Sequence, residues 1–300
     1  MIKKILWATD GSEDSVEALK CAELLAINSK ADILGLSVLP GDYQFFDTFS
    51  PEERKKLENS FKATIELKER KNLEEIKKKL TQHKLHFSYK ITKGIASKEI
   101  ITVAESEKVD LITLGRGRSV DKFTMGGTVL KVLRNCKMPI LTARKNDMKT
   151  AIKKILVPVV LSHGLTANFD YALKLSEIFN AELQVANIVE TGGHEFPDSL
   201  MEKIKSNTKM ELRHLLREAN ATSNIRIYVE AGRNAWVGIT ELARANDIDL
   251  IVIMTYGGTV FREEFLGSIA LNVIQESSVP VITLTPHKAT LKMIGDENEH

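Results

Sequence analysis

Lys3-Lys4-Ile5-Leu6-Trp7-Ala8-Thr9-Asp10-Gly11-Ser12 is the stretch on which the rest of the chain turns. Residues 2–9 form an apolar run of strand length. Asp10-Gly11-Ser12 then hands over to apolar residues at helical spacing, Val16, Leu19, Ala22, Leu25 and Ala26. The stretch also has a copy. Lys153-Lys154-Ile155-Leu156 repeats Lys3–Leu6 at an offset of 150, and the pairs Ala22/Ala172, Ala31/Ala181, Ile33/Leu183 and Val38/Ile188 keep that offset. Val109-Asp110-Leu111-Ile112 is matched by Ile248-Asp249-Leu250-Ile251 at 139, and Met138-Pro139-Ile140-Leu141-Thr142 by Val279-Pro280-Val281-Ile282-Thr283 at 141. Matches in the same order along both halves mean a tandem duplication of a unit of about 140 residues. The expected division is 1–145 and 151–287, with a polar linker around 145–150 and a polar tail at 288–300.

Within a unit, strand and helix alternate. In the first half, strands are predicted at 2–9, 33–39, 87–92, 110–115 and 139–143. Helices are predicted at 12–28, 97–107 and 127–135. A further helix opens at Ser50-Pro51-Glu52-Glu53, which reads as an N-cap, a Pro at N1 and a capping-box Glu. The stripe of that helix, Leu57, Phe61, Ile65, Leu73, Ile76 and Leu80, suits a helix lying on a sheet, with a partner-binding coiled coil as the alternative. Second-half strands fall near 153–160, 182–189, 225–230, 249–254 and 280–284. Short strands apolar on both faces and separated by helices imply parallel pairing under helical cover. With right-handed crossovers the fold class is α/β: two tandem doubly wound five-stranded parallel-sheet domains.

Composition narrows the class. With 43% apolar and 27% charged residues the 300-residue chain is an ordinary globular one. No apolar run approaches the roughly 20 residues a spanning helix needs, and no signal peptide is expected. Two cysteines, Cys21 and Cys136, fit a reducing compartment, and a cytoplasmic location is expected. The net charge of +2 hides an asymmetry: residues 1–145 carry 27 basic and 20 acidic side chains (+7), residues 146–300 carry 15 and 20 (−5). Opposite signs would help the halves dock. The basic excess around Lys77–Lys93 lacks interleaved aromatics, which argues for a solvated face rather than a nucleic-acid site.

In doubly wound sheets ligands bind beyond the carboxyl ends of strands where the strand order reverses. After the first strand stands Asp10, placed to accept hydrogen bonds from a ligand or to cap the next helix, with Ser12 as a natural N-cap. After the fourth come Gly115-Arg116-Gly117, nine residues, then Gly127-Thr128 at a helix start. Glycines let main-chain N–H groups approach an anion, and a helix N-terminus adds unpaired N–H groups and partial positive charge. Arg116 and Arg118 bring charge. Together these describe a phosphate cradle, although neither the dinucleotide fingerprint nor Walker A is present. The second half repeats the spacing: Gly257, nine residues, Gly267-Ser268.

An Asp-Gly-Ser strand end, an Asp-Leu-Ile strand and a glycine loop closing on Gly-Ser/Thr resemble the universal stress protein family in its tandem two-domain form. The resemblance implies ATP held by the pattern Gly-x-x-Gly-(nine)-Gly-Ser/Thr, with an Asp beside adenosine and the second strand's end beside adenine. Carried onto this chain it marks Asp10, Val38, Gly115, Arg116, Gly117, Gly127, Thr128 and Val129. Gly257, Gly267 and Ser268 are the weaker second-half set. It also implies intramolecular pairing of the two halves through their last strands and leaves a homodimer of chains open. The departures are specific. Only Arg116 separates Gly115 from Gly117, Met254 takes the first glycine position of the second loop, and Val160, expected buried, stands where Asp10 does.

The expected function is a stress-response or regulatory protein binding an adenine nucleotide (ATP, with or without Mg2+) mainly in the first half, without efficient catalysis. No catalytic set and no metal-ligand spacing of histidines occurs. The alternatives are a slow ATPase of the same fold, or a nucleotide-free interaction module with decayed sites. The aromatic stretch from Tyr43 to Phe49 is the best contact candidate of that module.

Overall fold

The computed structural model describes residues 2–41, 48–117, 126–161, 164–165, 167–221, 224–255 and 266–285. Gly257, Arg118, most of the Tyr43–Phe49 stretch and the tail lie outside them. The first half runs β1 (Lys4–Thr9), α1 (Glu13–Ser29), β2 (Asp32–Leu39), α2 (Pro51–Gln82), β3 (Phe87–Lys93), α3 (Ala96–Ser106), β4 (Leu111–Gly115), α4 (Gly127–Asn135), β5 (Ile140–Ala143). The second runs β6 (Lys154–Pro158), α5 (Ala167–Phe179), β7 (Glu182–Glu190), α6 (Asp198–Glu218), β8 (Ile225–Gly232), α7 (Ala235–Ala245), β9 (Leu250–Met254), α8 (Ser268–Glu276), β10 (Val281–Leu284).

The described strands form one ten-stranded sheet in the order β3-β2-β1-β4-β5-β10-β9-β6-β7-β8. Each half is parallel, and strand order reverses at β1/β4 and at β6/β9. The α/β doubly wound class is thus present twice. The halves join through one antiparallel pair, β5 with β10, in which Leu141 faces Ile282. Buried threonines on this pair bridge to the opposite strand: Thr142 Oγ1 donates to Val281 O and Thr283 Oγ1 to Ile140 O. The strand pair at the join is therefore held by main-chain pairing, apolar contact and buried hydroxyls, not by the opposite net charges of the halves.

Burial follows the sheet. Ile5, Leu6 and Trp7 of β1 are buried on both faces, as a central parallel strand must be. Trp7 Nε1 donates to Ser15 O at 2.8 Å, so the strand holds the first turn of α1. Long helix α2 departs from its expected role. Leu73 and Leu80 are buried, but Leu57 (42% exposed) and Phe61 face outward. Only its C-terminal part lies on the sheet, because 32 residues outrun the eight of β2 and the seven of β3.

The linker is stitched down. Asp14 Oδ1 accepts from Lys145 N, Glu17 Oε1 from Met148 N, and Lys149 Nζ pairs with Asp249 at 2.8 Å.

Candidate functional site

The β1–α1 turn is built from its own short polar side chains. Asp10 Oδ1 accepts from Ser12 N at 3.0 Å, Thr9 Oγ1 from Gly11 N at 3.1 Å, and Ser12 Oγ from Ser15 N at 3.2 Å. Gly11 has φ +76°, which a side chain would strain. Asp10 thus shapes the turn through one carboxylate oxygen while standing exposed at its rim. Capping and ligand contact are compatible roles for it.

Across the reversal point, β4 ends on Gly115. An added Cβ there would sit 2.5 Å from Ser15 N and 2.6 Å from Asp14 C. Its small size lets strand and helix touch. Gly115→Ala is accordingly expected to lower unfolding free energy by about 1–3 kcal/mol, the usual cost of overpacking. A denaturant titration checks this, and unchanged stability would refute the close contact. Gly117 is left-handed (φ +65°) and packs on Gly126. Helix α4 begins with Gly126 at its N-cap and, among the described residues, no side-chain cap. Its first N–H groups therefore keep the unpaired donors and the partial positive charge of a helix start.

These elements enclose one cavity of about 650 Å³, within the ~300–1,000 Å³ usual for small-molecule sites. Asp10, Val38, Gly115, Gly117, Gly127, Thr128 and Val129 all line it. Leu36, Val38, Ala96 and Ile100 make an apolar side, and Gly126, Gly127, Thr128 and Lys145 a donor-bearing one. Ser12, Glu13, Asp14, Lys145 and Gly126 are lining residues that the motif missed. The Gly126-Gly127 doublet was a visible sign of the last. Ser12, Glu13 and Asp14 follow Asp10 directly into α1, whereas Lys145 joins the wall because the stretch after β5 folds against α1.

Arg116 does not belong to this set. Its guanidinium turns away from the cavity into the join between halves and is 3% exposed. Nη1 donates to Ser277 O at 2.7 Å, Nη2 to Val279 O at 2.6 Å, and Nη2 lies 3.0 Å from Asp147 Oδ2. Arg144 Nη2 reaches the same Ser277 O at 3.1 Å. Burial pulls the Arg116 pKa down to about 10, so it is charged at neutral pH, and burial raises that of Asp147 above its ordinary value. Arg116 is the first residue beyond β4, its N–H is bonded to Ala143 O of β5 at 2.8 Å, and its long side chain reaches across the join to the end of α8.

The second half is built differently. Gly267 caps α8, where Gly126 caps α4, so the equivalence expected between Gly127 and Gly267 is off by one, and Ser268 matches Gly127. Gly267 N donates to Thr255 O at 2.8 Å. Val160 is 45% exposed rather than buried, though it still offers no acceptor. Glu190 Oε1 accepts from Ala235 N at 2.6 Å at the start of α7, and Ile188 packs on Gly238. An internal carboxylate thus caps the helix matching α3, whose own N-cap residue, Ile95, has no capping side chain.

The model of the Universal stress protein family matches residues 1–144 and 151–284. Two relatives from Methanocaldococcus jannaschii match at 27% identity: Universal stress protein MJ0531, over 48% of this chain and 84% of its own, and Universal stress protein MJ0577, over 49% and 98%. Among solved structures, the functionally unknown protein PA1789 from Pseudomonas aeruginosa PAO1 aligns over 100% of this chain and 98% of its own at 18% identity, TM-score 0.66. A universal stress protein from Archaeoglobus fulgidus aligns over 94% and 98% at 20% identity, also with TM-score 0.66. Those two likenesses speak for the doubled fold. With both halves matched by the family model, the chain belongs to the universal stress protein family.

Proposed function

We propose that this is a stress-response or regulatory protein that binds ATP in the first-half cavity and does not turn it over efficiently. The observation that carries the reading is convergence: left-handed Gly117, the uncapped start of α4, Asp10 and the apolar end of β2 all face one cavity. The polyphosphate would meet the N–H groups of Gly127 and Thr128, the base would lie against Val38 and Ile100, and Asp10 would accept from the ribose side. Among the described residues no cluster of three or more His, Cys, Asp or Glu side chains is set to hold a metal ion. Mg2+ would therefore enter with the nucleotide. The second half, with Val160 at the acceptor position and Glu190 on α7, serves as the structural partner of the first.

The test is a thermal-shift series on nucleotide-free protein, followed by a phosphate-release assay with magnesium. ATP at about 100 Kd should stabilise the chain by about 2.7 kcal/mol, a shift of several degrees. No shift would support a nucleotide-free interaction module. Release faster than about 0.1 per second would support a slow ATPase instead.

A further inference from the structure

We propose that Lys145 is the specificity-determining cation of the first-half cavity, held by Glu13 until a polyphosphate displaces that carboxylate. The proposal deepens the ATP reading and rests on it. Three carboxylates line the cavity, those of Asp10, Glu13 and Asp14, against the ammonium of Lys145 among the described lining residues. Without Lys145 the charged side chains among the described lining residues would all be acidic and repel an anion, leaving main-chain N–H groups and neutral hydroxyls such as that of Thr128 to attract it.

Among the described residues the nearby arginines are committed elsewhere. Arg116 is locked to Ser277, Val279 and Asp147, and Arg144 reaches Ser277 O and has its Nε 3.9 Å from Asp147 Oδ1. Lys145 differs in how it is held. Its main chain is fixed, because Lys145 N donates to buried Asp14 Oδ1 at 2.9 Å. Its side chain is not: Nζ lies 2.6 Å from Glu13 Oε1, in a pair whose side chains are 52% and 73% exposed. Exposed ion pairs are weak and exchangeable. A di- or triphosphate carries more charge and more acceptor oxygens than one carboxylate, so it wins the ammonium. Adenosine offers nothing to exchange for Glu13. The pair therefore selects phosphorylated ligands over the bare nucleoside, and Glu13 sets how strongly.

Calorimetric titrations of the full chain with ATP and with adenosine test this, in EDTA so that no divalent cation stands in for the lysine. Lys145→Ala should weaken ATP about tenfold, the scale of one charge-assisted hydrogen bond, and leave adenosine within about twofold. Glu13→Gln should tighten ATP about threefold by releasing Lys145 and removing a like charge. Equal weakening of both ligands by Lys145→Ala, or no change in either, would overturn the proposal while leaving the nucleotide site standing. If the unsubstituted chain bound neither ligand, the nucleotide site would fall and the selection with it.

Discussion

Arg116→Ala is expected to cost about 3–5 kcal/mol of unfolding free energy, the largest stability effect of any single substitution considered for this chain. The side chain is buried, donates to two second-half carbonyls and pairs with Asp147, itself 4% exposed. Truncation takes one donor from each carbonyl, leaving Ser277 O with Arg144 Nη2 and Val279 O with Ser277 Oγ, and removes the nearer of two cations from a buried carboxylate. Arg116→Met keeps the packing and should cost less, because an apolar replacement of similar shape restores contacts if not charge. The pH dependence has a definite sign. Burial already lifts the Asp147 pKa above its ordinary 3.8 in the folded chain, and loss of Arg116 lifts it further. A carboxylate with a raised folded pKa destabilises the fold when ionised and ceases to when protonated. The deficit of Arg116→Ala should thus be full at neutral pH and narrow as pH falls through that raised pKa toward 3.8. Guanidinium titrations of both chains at several pH values measure this. A deficit that widened in acid would contradict the buried pair.

The second large effect is on binding. Gly127→Tyr should lower ATP affinity about 100-fold or more, some 2.7 kcal/mol, because the ring enters the space the phosphates need. It should hardly disturb the fold. An added Cβ at Gly127 meets no atom within 4 Å, and the residue opens α4 with ordinary helical geometry. Replacing a glycine there even removes freedom from the unfolded chain. Equilibrium dialysis beside a denaturant titration separates the two quantities. Undiminished ATP binding in a folded Gly127→Tyr chain would remove the α4 start from the site.

The contrast between these neighbouring positions shows what the sequence could and could not express. Repeat offsets of 139 to 150 and alternating apolar runs were enough for two doubly wound units, because both signals are local. The motif positions from Asp10 to Val129, Arg116 excepted, also meet at one cavity, since a strand end and a helix start are local features too. Arg116 was placed by its charge, and charge carries no direction. Its partners, Ser277 O and Val279 O, lie more than 160 residues away in the second half, beyond any local signal. Gly126 was overlooked for Gly127 because nine-residue counting is blind to which glycine caps the helix. Lys145 and Asp14 were beyond local reach. Their contact joins residues 131 apart, and nothing in a polar linker says that it lies along a ligand wall. Leu57 and Phe61 show the reverse error: helical periodicity was present, but the sheet ends before it can cover them.

A calorimetric titration of ATP into the nucleotide-free full chain bears most directly on the whole account. One nucleotide per chain is the expected stoichiometry, filled by the half that carries Asp10, Gly117 and the uncapped α4 start. Two equivalent sites, or no heat and no saturation at all, would contradict it.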